Sequence, residues 1–334
     1  MTDLFPIQYS TLSAKALGRF VAQRYGLKDA TCSFLMRGVS DTYRIDTKAG
    51  TQYILKVYRR THRPLSEIKG EVELLDILHQ QDAKVSFALK DKHGEKIQEF
   101  KAPEGIRHGI LFTYAPGKTV RHLSNEQVQI VGREMAYNHN ITSQIQLMYP
   151  RPTYDIYTTL LSPVQALEPA FATYPEGYKY LRELSDRVIC KMAGFDARFW
   201  NYGYCHYDYL PKNFHFDEHD RFTLFDFDFA GKGPLVNDLM SFQVHFFLHI
   251  VHSFLTQREA SRQWDLFLKA YQSGADISDE EIAAIPYLGL MFWTFFLRYQ
   301  YEHYDDWSNN FFNDSHLQRM VAWLKRWEEL YCDF

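Results

Sequence analysis

Between Tyr204 and Phe229 the chain gathers side chains suited to one chemistry. Asp208 is followed five residues later by Asn213, and an apolar run, Phe222 to Phe225, leads into Asp226 and, two residues on, Asp228. A carboxylate, an amide oxygen and a further carboxylate at this spacing are what ATP-dependent phosphoryl transfer needs. The first can take a hydroxyl proton, and the other two can hold Mg²⁺ against the phosphates. Such a transfer asks little covalent help of the protein. It requires an acceptor oxygen aimed in line and neutralisation of charge by metal and cations. Asp208 is thus expected as the catalytic base, Asn213 and Asp226 as metal ligands, and Asp228 as the holder of a second ion or a metal-bound water. A solvated polar loop is the plain alternative. It accounts poorly for two carboxylates embedded in Leu224-Phe225-Asp226-Phe227-Asp228-Phe229, which need a partner or a metal.

The stretch resembles the aminoglycoside phosphotransferase and choline kinase superfamily, small-molecule relatives of the protein kinases. The family pattern is His-Gly-Asp, four residues, Asn, then a strand ending Asp-Phe-Asp or Asp-Phe-Glu. Here it reads His206-Tyr207-Asp208, then Asn213, then Asp226-Phe227-Asp228, with Pro211 where the family often has proline. Tyr207 replaces the usual glycine, on the acceptor side, and Lys212 replaces another common glycine; neither position carries the chemistry. Within the superfamily the run from Asp226 to Leu239 and an aromatic helix with Arg298 are most similar to the homoserine-kinase-like and stress-response-kinase-like branch. The resemblance covers about residues 30 to 310.

The resemblance implies further residues. Lys56, alone in the strand Tyr53-Ile54-Leu55-Lys56-Val57-Tyr58, would contact the α- and β-phosphates, fixed by a glutamate of the next helix. Glu71 is the best candidate, with Glu67 and Glu73 competing. The turn Arg37-Gly38-Val39-Ser40-Asp41 would cover the phosphates, since Gly38 lets backbone N–H groups approach them; an ordinary hairpin turn fits equally. Asp41 puts a negative charge there, which calls for a metal or Arg37 nearby, or a loop that sits back. Leu111 to Gly117 would form the hinge, with adenine bonded to the backbone around Thr113 and Tyr114. Asp238 would cap the following helix and tie the catalytic loop to it.

These groups need elements to hold them. Residues 10–25 carry an apolar helical stripe stopped by Gly26. Residues 31–36, 42–46 and 52–58 then read as strands, 65–80 as a helix with Ile68, Val72, Leu75 and Leu78 on one face, and 97–100 and 110–114 as strands. Ala115-Pro116-Gly117 breaks the pattern. Beyond it most segments read as helix, opened by the capping boxes Ser124/Gln127 and Ser278/Glu281. Residues 213–229 read instead as short strands about a turn at Glu218-His219-Asp220. The expected fold is α+β and protein-kinase-like, with a small antiparallel-sheet lobe for nucleotide (1–114) and a larger helical lobe for catalysis and acceptor binding (115–334).

Composition narrows the function class. Charged residues make up 23% of 334 and nearly balance, at formal net charge −4, so no basic surplus points to nucleic acid. Four scattered cysteines form no CxxC pair. The N-terminus lacks the basic start and apolar run of a signal peptide, and the apolar segments at 242–255 and 287–296 are shorter than a membrane span. A soluble cytoplasmic enzyme is expected, without nucleic-acid or membrane partners, using ATP and Mg²⁺ on a hydroxyl of a small molecule. His245, His249 and His252 share a helical face, but apolar neighbours favour packing over metal binding. Trp293, Phe296, Tyr299, Tyr301, Tyr304 and Trp307 interleave with Glu302, Asp305 and Asp306, which suits a cationic acceptor such as an amino alcohol, a hydroxy amino acid or an aminoglycoside. Core packing of these aromatics is the alternative. Two other functions fit the sequence less well. A Ser/Thr protein kinase is disfavoured because Asp238 arrives 12 residues after Asp226, too soon for a peptide-docking segment. A non-catalytic nucleotide-binding protein is disfavoured because Lys56, Asp208, Asn213 and Asp226 are all present.

Overall fold

In the computed structural model, residues 5, 7–38, 40–304 and 311–334 are described. The chain forms two compact units that are not consecutive halves. The first comprises residues 1–119, 146–151 and 214–228; the second comprises 120–145, 152–213 and 229–334.

The first unit is built on a five-stranded antiparallel sheet. Its strands are β1 (Thr31–Arg37), β2 (Ser40–Asp46), β3 (Gln52–Tyr58), β4 (Ile97–Ala102) and β5 (Gly105–Thr113), in the order β1-β2-β3-β5-β4. Helix α1 (Ala14–Tyr25) begins at Ser13, whose hydroxyl accepts from the Ala16 N–H, and ends at Gly26 in the left-handed region, φ 73°. Its Leu17 and Val21 pack on Tyr43, Ile45, Leu55, Val57 and Leu111 of the sheet. Helix α2 (Leu65–Gln80) buries Ile68, Val72, Leu75 and Leu78, the face its periodicity predicts.

Residues 214–228, expected with the helical lobe, belong to this first unit. They form the hairpin β7 (Phe214–Phe216) and β8 (Phe222–Leu224), in register Phe214↔Leu224. Backbone pairing explains the placement. Lys118 and Phe216 exchange N–H···O bonds of 3.1 Å, and the Ser86 N–H donates to the Leu224 carbonyl at 2.8 Å. Gly117 makes this approach possible: it has φ +88°, and a Cβ there would lie 2.1 Å from the Phe216 carbonyl oxygen.

The second unit is mostly helical: α3 (Asn125–Thr142), the short α4 (Ser162–Ala166), α5 (Pro175–Met192), α6 (Val236–Val251), α7 (Gln257–Gln272), α8 (Asp279–His303) and α9 (Asp314–Tyr331). Both predicted capping boxes form, at Ser124/Gln127 and Ser278/Glu281. A small antiparallel pair, β6 (Tyr202–Cys205) with β9 (Gly231–Pro234), lies among the helices. Helix α8 is apolar and long enough to cross a membrane, yet 67% of its apolar window is buried within the protein. Rings dominate the core here: Phe242, Phe246, Phe247 and Trp327 are fully buried.

Candidate active site

The sequence candidates fall into two constellations, one in each unit.

In the first unit, β3 carries Lys56 to a buried position where its ammonium meets Asp226 and Asp228, each at 2.8 Å. Burial opposes the charge on Lys56, but the two aspartates outweigh it and hold its pKa well above the ordinary value. The aspartates differ. Asp226 is 42% exposed at its side chain and sits at φ 67°, unusual for a residue with a Cβ; Asp228 is 6% exposed. Burial raises the Asp228 carboxyl to about 7, with Lys56 opposing and Asp226 adding to the rise. Asp228 Oδ1 is buried without a hydrogen-bond partner. A buried carboxylate with an orphaned oxygen, beside a second carboxylate that reaches solvent, is a hard-oxygen donor set that fits Mg²⁺. Among the described residues no group of three His, Cys, Asp or Glu is placed to hold a metal, so an ion here would take its remaining oxygens from elsewhere.

Glu71 is buried on α2, 1% exposed, and its field reaches Lys56. The expected close pair between the two is not formed. The ammonium is taken by the nearer aspartates, and Glu71 Oε2 instead faces Arg151 Nη1 at 3.9 Å. The competing glutamates are also engaged: Glu67 with Arg63 at 3.3 Å, and Glu73 with the N–H groups of Met148 and Tyr149 at 2.8 and 3.1 Å.

Gly38 follows β1, and a Cβ there would meet nothing within 4 Å; Val39 lies outside the described residues. Asp41 is neutralised by Arg37, as one expectation had it, and also by Arg107, each at 2.8 Å and all three buried at the side chain. At the hinge, the Thr113 N–H donates to the Phe87 carbonyl at 3.0 Å, and its carbonyl accepts from the Ser86 hydroxyl at 2.7 Å, so its one backbone donor is engaged within the protein. Tyr114, one residue past the end of β5, commits neither backbone group to another described residue and is the better candidate for adenine.

In the second unit, the catalytic-loop candidates follow β6. Asp208 Oδ2 accepts from the Asn213 amide at 2.9 Å and from Lys212 Nζ at 2.7 Å. Its other oxygen, Oδ1, is buried and has no hydrogen-bond partner. One oxygen is thereby fixed, and the other is left to accept a proton. Asn213 spends its NH₂ on the Asp208 carbonyl and carboxylate, which leaves its side-chain oxygen as the atom to meet a cation. Lys212, which the resemblance left without a role, is thus the residue that sequence reasoning passed over. Its spacing of four from Asp208 was the available signal.

Asp238 holds this loop but caps no helix. It lies inside α6, whose N-cap is Leu235 with no side-chain bond. Its carboxylate accepts from the backbone N–H of His206 (2.8 Å) and of Tyr207 (2.6 Å), and pairs with His139 at 3.0 Å. Tyr207 adopts φ 65°, which explains glycine at the equivalent family position, and its ring stacks on Tyr154 with centroids 3.5 Å apart. Phe292, Phe295 and Phe296 of α8 enclose it, so Tyr207 is 1% exposed and lines no open surface.

The aromatic acceptor candidates divide the same way. Trp293 and Tyr299 are each 7% exposed and pack in the core, and Glu302 is bound by Arg298 at 2.7 Å. Asp305, Asp306 and Trp307 lie outside the described residues. His245 and His249 stack edge to face, with centroids 4.1 Å apart, as packed rings.

The sequence profile of the phosphotransferase enzyme family matches residues 31–275. An uncharacterized protein of Synechocystis is 31% identical over 242 residues, 72% of this chain and 67% of its own length. The backbone is similar to that of an amicoumacin kinase solved with AMP-PNP and Ca²⁺, with TM-score 0.72 and 18% identity over 93% of this chain and 92% of that one. It is also similar to a microcompartment-associated aminopropanol kinase, with TM-score 0.71 and 18% identity over 93% and 94% of the two chains.

Proposed function

The chain belongs to the phosphotransferase enzyme family, and on that premise we propose that it moves the γ-phosphoryl group of ATP to a hydroxyl of a small molecule that also carries an amine. The observation that carries the reading is the asymmetry of Asp208. Oδ2 is held by Asn213 and Lys212, while Oδ1 is buried and unpartnered. A carboxylate so held can orient an acceptor hydroxyl and take its proton as the new O–P bond forms and the bond to ADP breaks. Lys56 supplies positive charge for phosphate oxygens. Asp226 and Asp228 would hold Mg²⁺, and the side-chain oxygen of Asn213 suits the same role. The ion, when bound, contributes neutralisation of phosphate charge.

The amine in the proposed acceptor has two supports. Amicoumacin and aminopropanol kinases share the backbone, and the sequence from Tyr299 to Trp307 interleaves rings with Glu302, Asp305 and Asp306. A soluble cytoplasmic enzyme fits the reading. The run from Asp226 to the start of α6 at Val236 is short and already contains β9, which disfavours a protein substrate.

The test is ATP consumption by the purified protein with Mg²⁺ against amino alcohols, hydroxy amino acids, aminoglycosides and neutral sugars. Turnover is expected with an amine-bearing alcohol. Asp208→Asn should keep nucleotide binding and lower kcat by about 10²–10⁴, and Asp226→Ala should lose Mg²⁺-dependent nucleotide binding. Near-normal turnover in Asp208→Asn, or unchanged Mg·ATP affinity in Asp226→Ala, overturns the assignment.

A further inference from the structure

Arg151 belongs to no motif, yet its guanidinium is wholly buried. Nη1 donates to the Glu67 carbonyl of α2 at 2.8 Å and faces Glu71 at 3.9 Å. Nη2 donates to the carbonyls of Phe227 and Asp228, both at 2.8 Å. One planar cation therefore joins the backbone of α2, the buried carboxylate of α2 and the backbone of the turn that carries Asp226 and Asp228. Arg63, just before α2, adds a second guanidinium to the Asp228 carbonyl at 2.8 Å.

The segment that delivers Arg151 is itself fastened to α2. Glu73 accepts the N–H groups of Met148 and Tyr149. Gly70 admits the Pro150 carbonyl, which would lie 2.8 Å from a Cβ at that position. Burying an arginine is costly unless every donor is used, and an apolar side chain would fill the space without that cost. What the guanidinium adds is geometry, because a rigid fork of donors sets distances among its acceptors. The turn needs such a constraint, since Asp226 stands at φ 67°, a conformation that persists only where its surroundings impose it.

We infer that Arg151 is a positioning residue for the metal-binding turn. It acts through Asp226 and Asp228 and fixes them relative to Lys56 and Glu71. The inference rests on the phosphotransferase reading above and goes beyond it in predicting where loss of Arg151 is felt: in Mg²⁺ and nucleotide, not in the acceptor.

The test compares Arg151→Met and Arg151→Lys with the full-length wild-type protein. Mg²⁺ is titrated against binding of a fluorescent ADP, and KM for ATP, KM for the acceptor and kcat are measured. Arg151→Met should raise the Mg²⁺ half-saturation and the KM for ATP at least tenfold, with the acceptor KM within twofold. Arg151→Lys, whose single ammonium cannot reproduce the fork, should fall between the two. If Arg151→Met does not fold, a rise in Mg²⁺ half-saturation and KM for ATP of at least threefold in Arg151→Lys, with the acceptor KM within twofold, is the expected result, and Glu73→Gln, which loosens the segment from outside the site, should shift Mg²⁺ dependence in the same direction. Folded variants with wild-type Mg²⁺ and ATP dependence overturn the role of Arg151 alone. A wild-type protein without Mg²⁺-dependent nucleotide binding overturns the parent reading as well.

Discussion

Tyr207 holds a backbone conformation that ordinarily falls to glycine, next to the residue assigned as base. A left-handed φ costs a residue with a Cβ about 1–2 kcal/mol, so Tyr207→Gly would relieve that much. The same change deletes a ring stacked on Tyr154 and enclosed by α8, and emptying a buried aromatic site costs about 3–5 kcal/mol. The second term wins, and Tyr207→Gly is expected to lose roughly 2 kcal/mol or more in urea unfolding. A variant as stable as wild type would mean that the ring contributes little. Lys212 poses the opposite case. It is 60% exposed at the side chain, and an exposed ion pair contributes only ~0.2–1 kcal/mol to stability. Lys212→Met should leave the melting temperature almost unchanged. It should still lower kcat about threefold to tenfold at constant KM for ATP, because Asp208 Oδ2 loses one of the two groups that orient it. A kinetically silent Lys212→Met would confine the lysine to the surface.

At the scale of elements, α6 ties the loop at His206–Tyr209 through the Asp238 carboxylate and the Ser241 hydroxyl, which accepts from the Tyr209 N–H at 3.0 Å. Asp238→Ala removes the acceptor of two buried backbone N–H groups and of His139. Each donor left unsatisfied costs about 1–3 kcal/mol, so a loss of about 2–5 kcal/mol is expected in chemical denaturation, with kcat falling even where the fold survives. Retained kcat in a folded Asp238→Ala would mean that the loop holds its shape unaided. The sequence already marked Asp238 by its distance from the metal strand, but its partners only exist once α6, α3 and the loop are packed. The same division runs through the fold. Strand β3 and helix α2 were readable because each has a plain pattern, an apolar β-branched and aromatic run broken only by Lys56 and an apolar stripe from Ile68 to Leu78. The β6–β9 pair was not. Gly203, Gly231 and Gly233 weaken its strand signal, and two of them are there for close contacts, with the Thr142 carbonyl oxygen 2.6 Å from a Cβ at Gly203 and that of Pro152 2.5 Å from one at Gly231. Asp208, Asn213 and Asp226 were candidates by residue type and spacing, and Lys56 by the family resemblance. Arg151 was not, since a lone arginine after a proline announces nothing until the turn it holds is in place.

Across the whole molecule, buried imidazoles set an acid limit. Burial lowers His245 to about 3 and His249 to about 4, with His249 and His122 adding to the shift in His245, and His122 and His252 to that in His249. Burial likewise lowers His316 to about 4, with Arg319 adding. Each of these groups binds its proton more readily in the unfolded chain, near 6.5. Their neutral forms therefore support the fold fully above that value, and the support is lost as pH falls from there to about 4 for His249 and His316 and to about 3 for His245. The slope for each proton approaches ~1.4 kcal/mol per pH unit. The melting temperature should drop between pH 7 and pH 5, and replacing both His245 and His249 with Phe should flatten the drop. An unchanged slope in that double variant would assign the acid sensitivity elsewhere.

The interleaving of the two units bears on how the protein is made. The first unit opens with residues 1–119 but includes residues 214–228. A ribosome adding about 5–20 residues per second needs roughly 5–20 s to cross the interval. During that time the nascent sheet carries Lys56 without Asp226 or Asp228, and the growing chain has an unfinished edge where β7 will pair with Lys118. Premature termination anywhere before residue 228 thus releases a fragment with an incomplete first unit, and any contiguous piece of gene that encodes all of that unit also carries residues 120–145 and 152–213 of the second.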